Sequence, residues 1–258
     1  MRDVVVFEEA DHRFILLNES EPGEEEGIRS NQYLVSREGG GVLLDPGGFG
    51  VMPDVLSELL HHHDPEHIQA IVLSHQDPDI VGGLSTWLEL TPATVYAAHI
   101  WLRFLPHYGL QDMDRFRGVP DAGMTVEPVP DLTLELIPAH FLHSVGQLNA
   151  FDPRSGVLFS GDVGAGLMPE GEEADPFVRD LTDHLPHIEA FHRRYMASNR
   201  AARLWADRVA GLGVTMIAPQ HGPVYVGAAV EQFLDWIRGL QCGVDLMNPD
   251  GSFSGTPV

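Results

Sequence analysis

The sequence contains very little cysteine and few basic residues. Its 258 residues include a single cysteine, Cys242, so the chain alone can form neither an internal disulfide nor a cluster of thiolate metal ligands. Lysine and arginine together number 15 against 38 acidic residues, which gives a net charge of −23. A field of this sign repels nucleic acid and anionic lipid, so we expect neither as a partner.

Long hydrophobic runs are also missing. The N-terminal segment MRDVVVFEEADHRF has a short apolar run and several acids, which is unlike a signal peptide, and no run elsewhere is long enough to span a bilayer. These absences predict a cytoplasmic protein. The remaining composition is that of a globular protein, and a chain of this length can bury a large core.

Short apolar segments bounded by turn residues alternate with segments of helical periodicity. No repeat and no linker divides the chain, so we expect one domain over residues 1–258, with a tail rich in Gly, Pro and Ser at 241–258. Strands in each half with helices between them favour an α/β fold of two sheets packed face to face with helices outside. The pattern predicts strands at 4–7, 14–17, 32–35, 42–45, 70–73, 94–97, 132–137, 157–160 and 214–218, and helices at 53–62, 82–90, 100–108, 181–212 (two) and 228–240.

Four polar clusters each follow directly on an apolar strand. An isolated histidine at a strand end is more often a hydrogen-bonding residue than a metal ligand, but four such clusters are difficult to explain in that way. Strand ends place side chains on loops at one edge of a rigid scaffold. Three histidines and three carboxylates would supply enough donors for two metal ions if one carboxylate bridges them. The clusters are His75/Asp77/Asp79, His140/His143, Asp162 and His221.

The order of these clusters resembles the metallo-β-lactamase fold. Its hydrolases carry HxHxDH in the first cluster, whereas SHQDPDI at residues 74–80 has Asp77 and Ile80 at the second and last histidine positions. An acidic second ligand is similar to that of the flavodiiron proteins and the related oxygen-binding di-iron proteins, as are AHFLHS (139–144), SGD (160–162) and APQHGP (218–223). The resemblance spans about residues 31–223 and implies a four-layer αβ/βα sandwich of two mixed sheets.

The resemblance also implies a ligand set. His75, Asp77 and His143 would bind a first iron ion, Asp79 and His221 a second, and Asp162 would bridge both. Two positions depart from the family. Flavodiiron proteins usually have Glu where this chain has Asp77, and commonly have His where it has Ile80, which leaves the second ion with open coordination positions.

Charge favours iron over zinc at such a site. Asp77 adds a hard anionic oxygen donor, and a mixture of carboxylate and imidazole suits non-haem iron or manganese. The four positive charges of two divalent ions exceed the charge of three carboxylates by one, which a bridging hydroxide would cancel. We therefore expect two iron ions (Fe²⁺/Fe³⁺) with a bridging hydroxide or oxide, and O2 held between them as a bridging peroxide. His140 is either a donor to that oxygen, a further ligand, or a residue that fixes its loop through a backbone hydrogen bond.

Three functions compete. The first is an O2-binding sensor or carrier, with a signalling partner. The second is an O2 or NO reductase supplied with electrons by a separate protein, because fewer than about 40 residues follow His221 and no flavin domain is expected. The third is a zinc hydrolase, which Asp77 and Ile80 argue against. A homodimer and NO as a ligand remain open.

Overall fold

The computed structural model describes residues 3–17, 29–168 and 175–254. Within these residues the chain forms two mixed sheets of seven strands, which confirms the predicted α/β sandwich. The first sheet consists, in spatial order, of Val4–Glu9 (β1), His12–Leu16 (β2), Tyr33–Arg37 (β3), Gly40–Leu44 (β4), Ile68–Val72 (β5), Thr94–Ala98 (β6) and Phe116–Val119 (β7). The second contains Met124–Val129 (β8), Leu132–Pro138 (β9), Leu148–Asp152 (β10), Val157–Gly161 (β11), Phe177–Val178 (β12), Met216–Pro219 (β13) and Val224–Val226 (β14), in the spatial order β12-β14-β13-β11-β10-β9-β8.

Helices follow the strands in both halves of the chain. Within the described ranges no helix combines the length and apolar character that crossing a membrane requires. The α-helices are Met52–Leu59 (α1), Pro78–Val81 (α2), Leu84–Leu90 (α3), Leu181–Tyr195 (α4), Asn199–Ala210 (α5) and Ala228–Gly239 (α6). Short 3-10 helices occur at Pro65–His67, His99–Trp101, Leu105–Tyr108, Met113–Arg115 and Gly243–Leu246.

Three apolar clusters separate four layers. Successive side chains of a strand point to opposite faces of its sheet, and β3 shows the consequence. Tyr33 and Val35 lie in the cluster between the two sheets, whereas Leu34 lies in the cluster beneath α1 and α3. The third cluster packs α4, α5 and α6 against the outer face of the second sheet. Helices thus cover both outer faces, as the four-layer arrangement requires.

The prediction of a helix at residues 100–108 is wrong. This segment instead forms two 3-10 turns, with hydrogen bonds from Leu102 N to the His99 carbonyl and from His107 N to the Phe104 carbonyl. Pro106 has no N–H to donate to the preceding turn, so a continuous α-helix would lose a hydrogen bond at its centre. Gly109 then ends the segment in a left-handed conformation with φ of 82°.

The described part of the predicted C-terminal tail has local structure. The turn at Gly243–Leu246 packs beside the junction of α4 and α5, where Val244 N donates to the Ala197 carbonyl and Asn199 N donates to Asp245 Oδ2. A single domain over residues 1–258 remains a prediction.

Strand direction places the polar clusters at one edge of the sandwich. The pairs β4–β5 and β11–β13 are parallel. Strands β9 and β11 both pair with β10 in the antiparallel sense, so they run in the same direction. The carboxyl ends of β9, β11 and β13 therefore lie together, and the end of β5 faces them from the first sheet.

Candidate metal centre

The two sheets approach closely at the edge that carries the polar clusters. Gly161, which ends β11 with a φ of +55°, faces Ser74 just after β5. A Cβ at Gly161 would clash with the Gln147 side-chain amide and lie 2.8 Å from the Cβ of Ser74, so a larger residue would displace both of these side chains. The glycine thereby allows Asp162, the next residue, to reach His75.

His75, Asp77, His143 and Asp162 form a first group of converging donor atoms. The Nε2 atoms of His75 and His143 lie 3.2 Å apart. His143 Nε2 lies 3.2 Å from Asp162 Oδ2 and 3.4 Å from Asp77 Oδ2. His75 Nε2 is 3.6 Å from Asp77 Oδ2 and 3.9 Å from Asp162 Oδ2. The donor atoms of His75, His143 and Asp162 therefore all lie within 4.8 Å of one another, and Asp77 Oδ2 lies beside both imidazoles.

Asp79, His221 and Asp162 form a second group beside the first. His221 Nε2 lies 3.5 Å from Asp79 Oδ2 and 3.6 Å from Asp162 Oδ1. Asp162 thus directs Oδ2 to the first group and Oδ1 to the second. Its Oδ1 is buried and has no hydrogen-bond partner among the described residues, which is a costly state for a carboxylate oxygen unless a cation lies beside it.

The spacing and chemistry of these atoms fit metal ions. Two donors bound to one ion at about 2.1 Å lie about 3.0–3.4 Å apart at octahedral or tetrahedral angles, close to the shorter separations in the first group. Two imidazole Nε2 atoms that face each other at 3.2 Å are accounted for when one ion accepts both lone pairs. Oxygen and nitrogen donors in this ratio suit iron or manganese. The donor set therefore fits two ions that share Asp162.

Hydrogen bonds fix the orientation of two of the imidazole rings. The Ser74 hydroxyl donates to Asp45 Oδ2, and Ser74 Oγ lies 2.9 Å from His75 Nδ1, whose proton it accepts. His221 Nδ1 donates to the Arg29 carbonyl. In each case Nδ1 is engaged by the protein, so Nε2 is the ring nitrogen that can bind a metal ion. The sequence reasoning missed Asp45 and Ser74, although Asp45 follows β4, the parallel neighbour of β5.

The close approach of carboxylates and imidazoles shifts the pKa values of several groups at the site. Burial lowers the pKa of His75, but the carboxylates of Asp77, Asp162 and Asp45 outweigh this effect and raise it to about 9. Hydrogen bonds with His143 and His75 hold the pKa of Asp77 far below its usual range. Burial raises the pKa of Asp45 to about 7 despite the opposing attraction of His75. A metal ion that binds here replaces protons on the imidazoles, because only the neutral ring is a ligand.

His140 does not join either group. Its Nδ1 lies 3.1 Å from the Val145 carbonyl, and its Nε2 lies 3.6 Å from Asp121 Oδ1. This placement favours the alternative in which His140 fixes the loop that carries His143. Ile80 is completely buried in the apolar cluster beneath α1 and α3 and offers no donor atom.

Two aromatic residues of α4 lie beside His143. The Tyr195 ring is perpendicular to the imidazole at 5.7 Å between centroids, and the Phe191 ring stacks on Tyr195 at 4.8 Å. Tyr195 is about half exposed, whereas Phe191 is buried. The helix periodicity alone could not show which of its residues would reach the site.

Comparisons with known proteins agree with this geometry. A family model described as "ODP family beta lactamase" matches residues 28–222. A solved structure described as the peroxy diiron species of the chemotaxis sensor ODP is 40% identical, with a TM-score of 0.85, and the alignment covers 95% of this chain and 97% of that one. The rubredoxin oxygen:oxidoreductase of Desulfovibrio gigas has a TM-score of 0.75 over 92% of this chain and 61% of its own, but at 17% identity this likeness shows the fold alone.

Among curated proteins, diflavin flavoprotein A 1 from Synechocystis sp. is 28% identical over 189 residues, which is 71% of this chain. The chain spans only 32% of the length of that relative. The resemblance to di-iron proteins of the metallo-β-lactamase fold is confirmed, because the matched family segment covers most of the chain. The chain belongs to the ODP family of β-lactamase-fold proteins.

Proposed function

We propose that this protein is a non-haem di-iron protein that binds O2 and serves as an oxygen sensor or carrier. The proposal depends mainly on the position of Asp162. One of its carboxylate oxygens faces the first group of donors and the other faces the second group. His75, Asp77 and His143 would hold the first iron ion, and Asp79 and His221 the second. The similar structure at 40% identity, described as a peroxy diiron species of a chemotaxis sensor, supports the same reading.

The donors offset most of the charge of two divalent metal ions and leave coordination positions open. Three carboxylates offset three of the four positive charges of two ferrous ions, and three neutral imidazoles add none. Two iron ions in such a site would supply the electrons and the open coordination positions that O2 binding needs. The protein's part is to keep the imidazole lone pairs aimed at the ions, through Ser74 and Arg29, and to hold the shared carboxylate between them.

An O2 or NO reductase is the second candidate. The similarity to a relative named diflavin flavoprotein, of whose length this chain spans only 32%, favours it. A reductase would need a separate electron donor, whereas a sensor would need a signalling partner. For either function we also propose a cytoplasmic location, a homodimer, and NO as an alternative ligand to O2. A zinc hydrolase fits less well, since Asp77 supplies an oxygen donor where such hydrolases have histidine.

Anaerobic loading with ferrous iron tests these functions together. We expect about two iron ions per chain by elemental analysis, and a visible charge-transfer band that persists for a long time after O2 is admitted. Rapid bleaching, with O2 consumed in the presence of a reductant, would instead identify a reductase. Preferential retention of zinc, with hydrolysis of ester substrates and no response to O2, would remove the iron proposal.

Replacing Asp77 by histidine should shift the preference of the site toward zinc. The substitution removes an anionic oxygen donor that stabilises the oxidised ions, so we expect the iron-to-zinc ratio to fall about tenfold in a competition experiment. The ratio is measured by elemental analysis after dialysis against equal concentrations of both metals. Asp112→His is the matched control, because Asp112 is exposed and its side chain caps no helix. Equal ratios in the two variants would refute the charge argument.

A further inference from the structure

Gln76 lies between two candidate ligands, His75 and Asp77, and its side chain links two of the three loops that supply the first group. Its side-chain Nε2 donates to Asp77 Oδ1 at 2.7 Å, and its Oε1 accepts from the Ser144 hydroxyl at 2.8 Å. Ser144 directly follows His143. The Gln76 carbonyl also accepts from the Tyr108 hydroxyl at 2.6 Å. Backbone and side chain of Gln76 are therefore both held in place by other parts of the fold.

The two oxygens of the Asp77 carboxylate have different partners. Oδ2 faces the imidazoles of His75 and His143, whereas Oδ1 is occupied by the Gln76 amide. The second glutamine of the site behaves differently, because Gln220 Nε2 lies 3.0 Å from Asp79 Oδ2, the same oxygen that faces His221. Of these two carboxylates, only Asp77 therefore has a glutamine amide on the oxygen that does not face an imidazole.

We propose that Gln76 is a positioning residue that restricts Asp77 to one metal-binding oxygen. A carboxylate can bind a metal through one oxygen or through both, and the second mode occupies an additional coordination position. With Oδ1 engaged by the amide, only Oδ2 reaches the first ion, and one of its coordination positions stays open to a small molecule. This inference rests on the proposed function, since it concerns the first of the two proposed ions.

Cobalt(II) titration of the metal-free protein under anaerobic conditions tests the inference without relying on oxygen reactivity. The intensity of the cobalt d–d absorption falls as the coordination number of the ion rises. In Gln76→Leu we expect Asp77 to bind through both oxygens, which should lower the absorption per bound ion about twofold while two ions still bind. Gln76→Ala, which leaves more room for the carboxylate to turn, should show the same change.

Gln111→Leu is the matched control. It makes the same side-chain change at an exposed glutamine outside the first group of donors, so the cobalt spectrum should match that of the wild type. After iron loading, Gln76→Leu should also react with O2 about tenfold more slowly, since changes next to metal ligands typically have effects of this size. Thermal unfolding of each metal-free variant establishes that it is folded.

Two results would overturn the inference. One is a wild-type cobalt spectrum in both Gln76 variants, and the other is loss of one ion with an unchanged spectrum for the remaining ion, which would make Gln76 a determinant of affinity alone. Failure of the proposed function is distinguishable from both, because the wild-type protein itself would then bind fewer than two cobalt ions.

Discussion

Asp162→Asn should remove most of the bound iron and leave the metal-free protein folded. The carboxylate offers one oxygen to each group of donors, whereas an amide offers one neutral oxygen and turns an NH2 toward the other ion. Changes next to metal ligands cost about 10–100-fold in affinity, so loss of a shared ligand should cost at least about 100-fold. Elemental analysis after anaerobic iron loading measures the effect, and the visible band after O2 addition should disappear with the metal.

The stability of the metal-free variant separates loss of a ligand from damage to the fold. Asp162 Oδ1 is buried without a hydrogen-bond partner among the described residues, so neutralising this side chain relieves one cost. It also removes the attraction between the carboxylate and the protonated imidazole of His75. At a pH above about 9, where His75 has lost its proton, we therefore expect the unfolding temperature of metal-free Asp162→Asn to equal or exceed that of the metal-free wild type. A variant that retained two iron ions per chain would contradict the shared role of Asp162.

The sequence was sufficient to predict that the six candidate ligands lie at one edge of the sandwich, because each belongs to a cluster that follows an easily recognised apolar strand. Their role as metal ligands stays a prediction. His75, Asp162 and His221 lie at the ends of β5, β11 and β13, and parallel pairing brings such ends to one edge. Strands β7 and β8 were not predicted, because β7 has only four residues with Gly118 among them, and β8 contains Pro128. Gly and Pro weaken a strand prediction, whereas pairing with the neighbouring strands β6 and β9 holds both segments in place in the fold.

The positioning residues were harder to find than the ligands. Ser74 and Gln76 act through hydrogen bonds whose existence depends on side-chain rotamers and on loops distant in sequence, such as the one that carries Ser144. His140 presents the opposite case. Its spacing from His143 suggested a role at the metal, but the turn of the loop directs its ring toward Val145 and Asp121. Residue type and spacing identify potential ligands, whereas the loop conformation decides which of them converge.

The edge of the sandwich opposite the metal centre contains a second buried pair of an acid and an imidazole. His12 Nε2 lies 2.6 Å from Asp152 Oδ2, and both side chains are about 1% exposed. His12 begins β2 in the first sheet, and Asp152 ends β10 in the second, so the pair joins the two sheets directly. The Ser155 hydroxyl also donates to Asp152 Oδ2. This arrangement makes the pair a contributor to stability, remote from the proposed ions.

Asp152→Ala should destabilise the protein strongly without reducing its metal content. Removing one partner of a buried pair leaves the other without its hydrogen bond, which costs about 3 kcal/mol in the free energy of unfolding. For a chain of this size the unfolding temperature should fall by about 10 °C. Denaturant unfolding of the metal-free protein measures the loss, and Asp152→Asn, which keeps an acceptor for Ser155 and His12, should lose less. The iron content of folded Asp152→Ala should equal that of the wild type, the reverse of the pattern expected for Asp162→Asn. If both aspartates affected iron content and stability alike, Asp162 would have no special role at the metal centre, and its effect would be that of any buried acid in this sandwich.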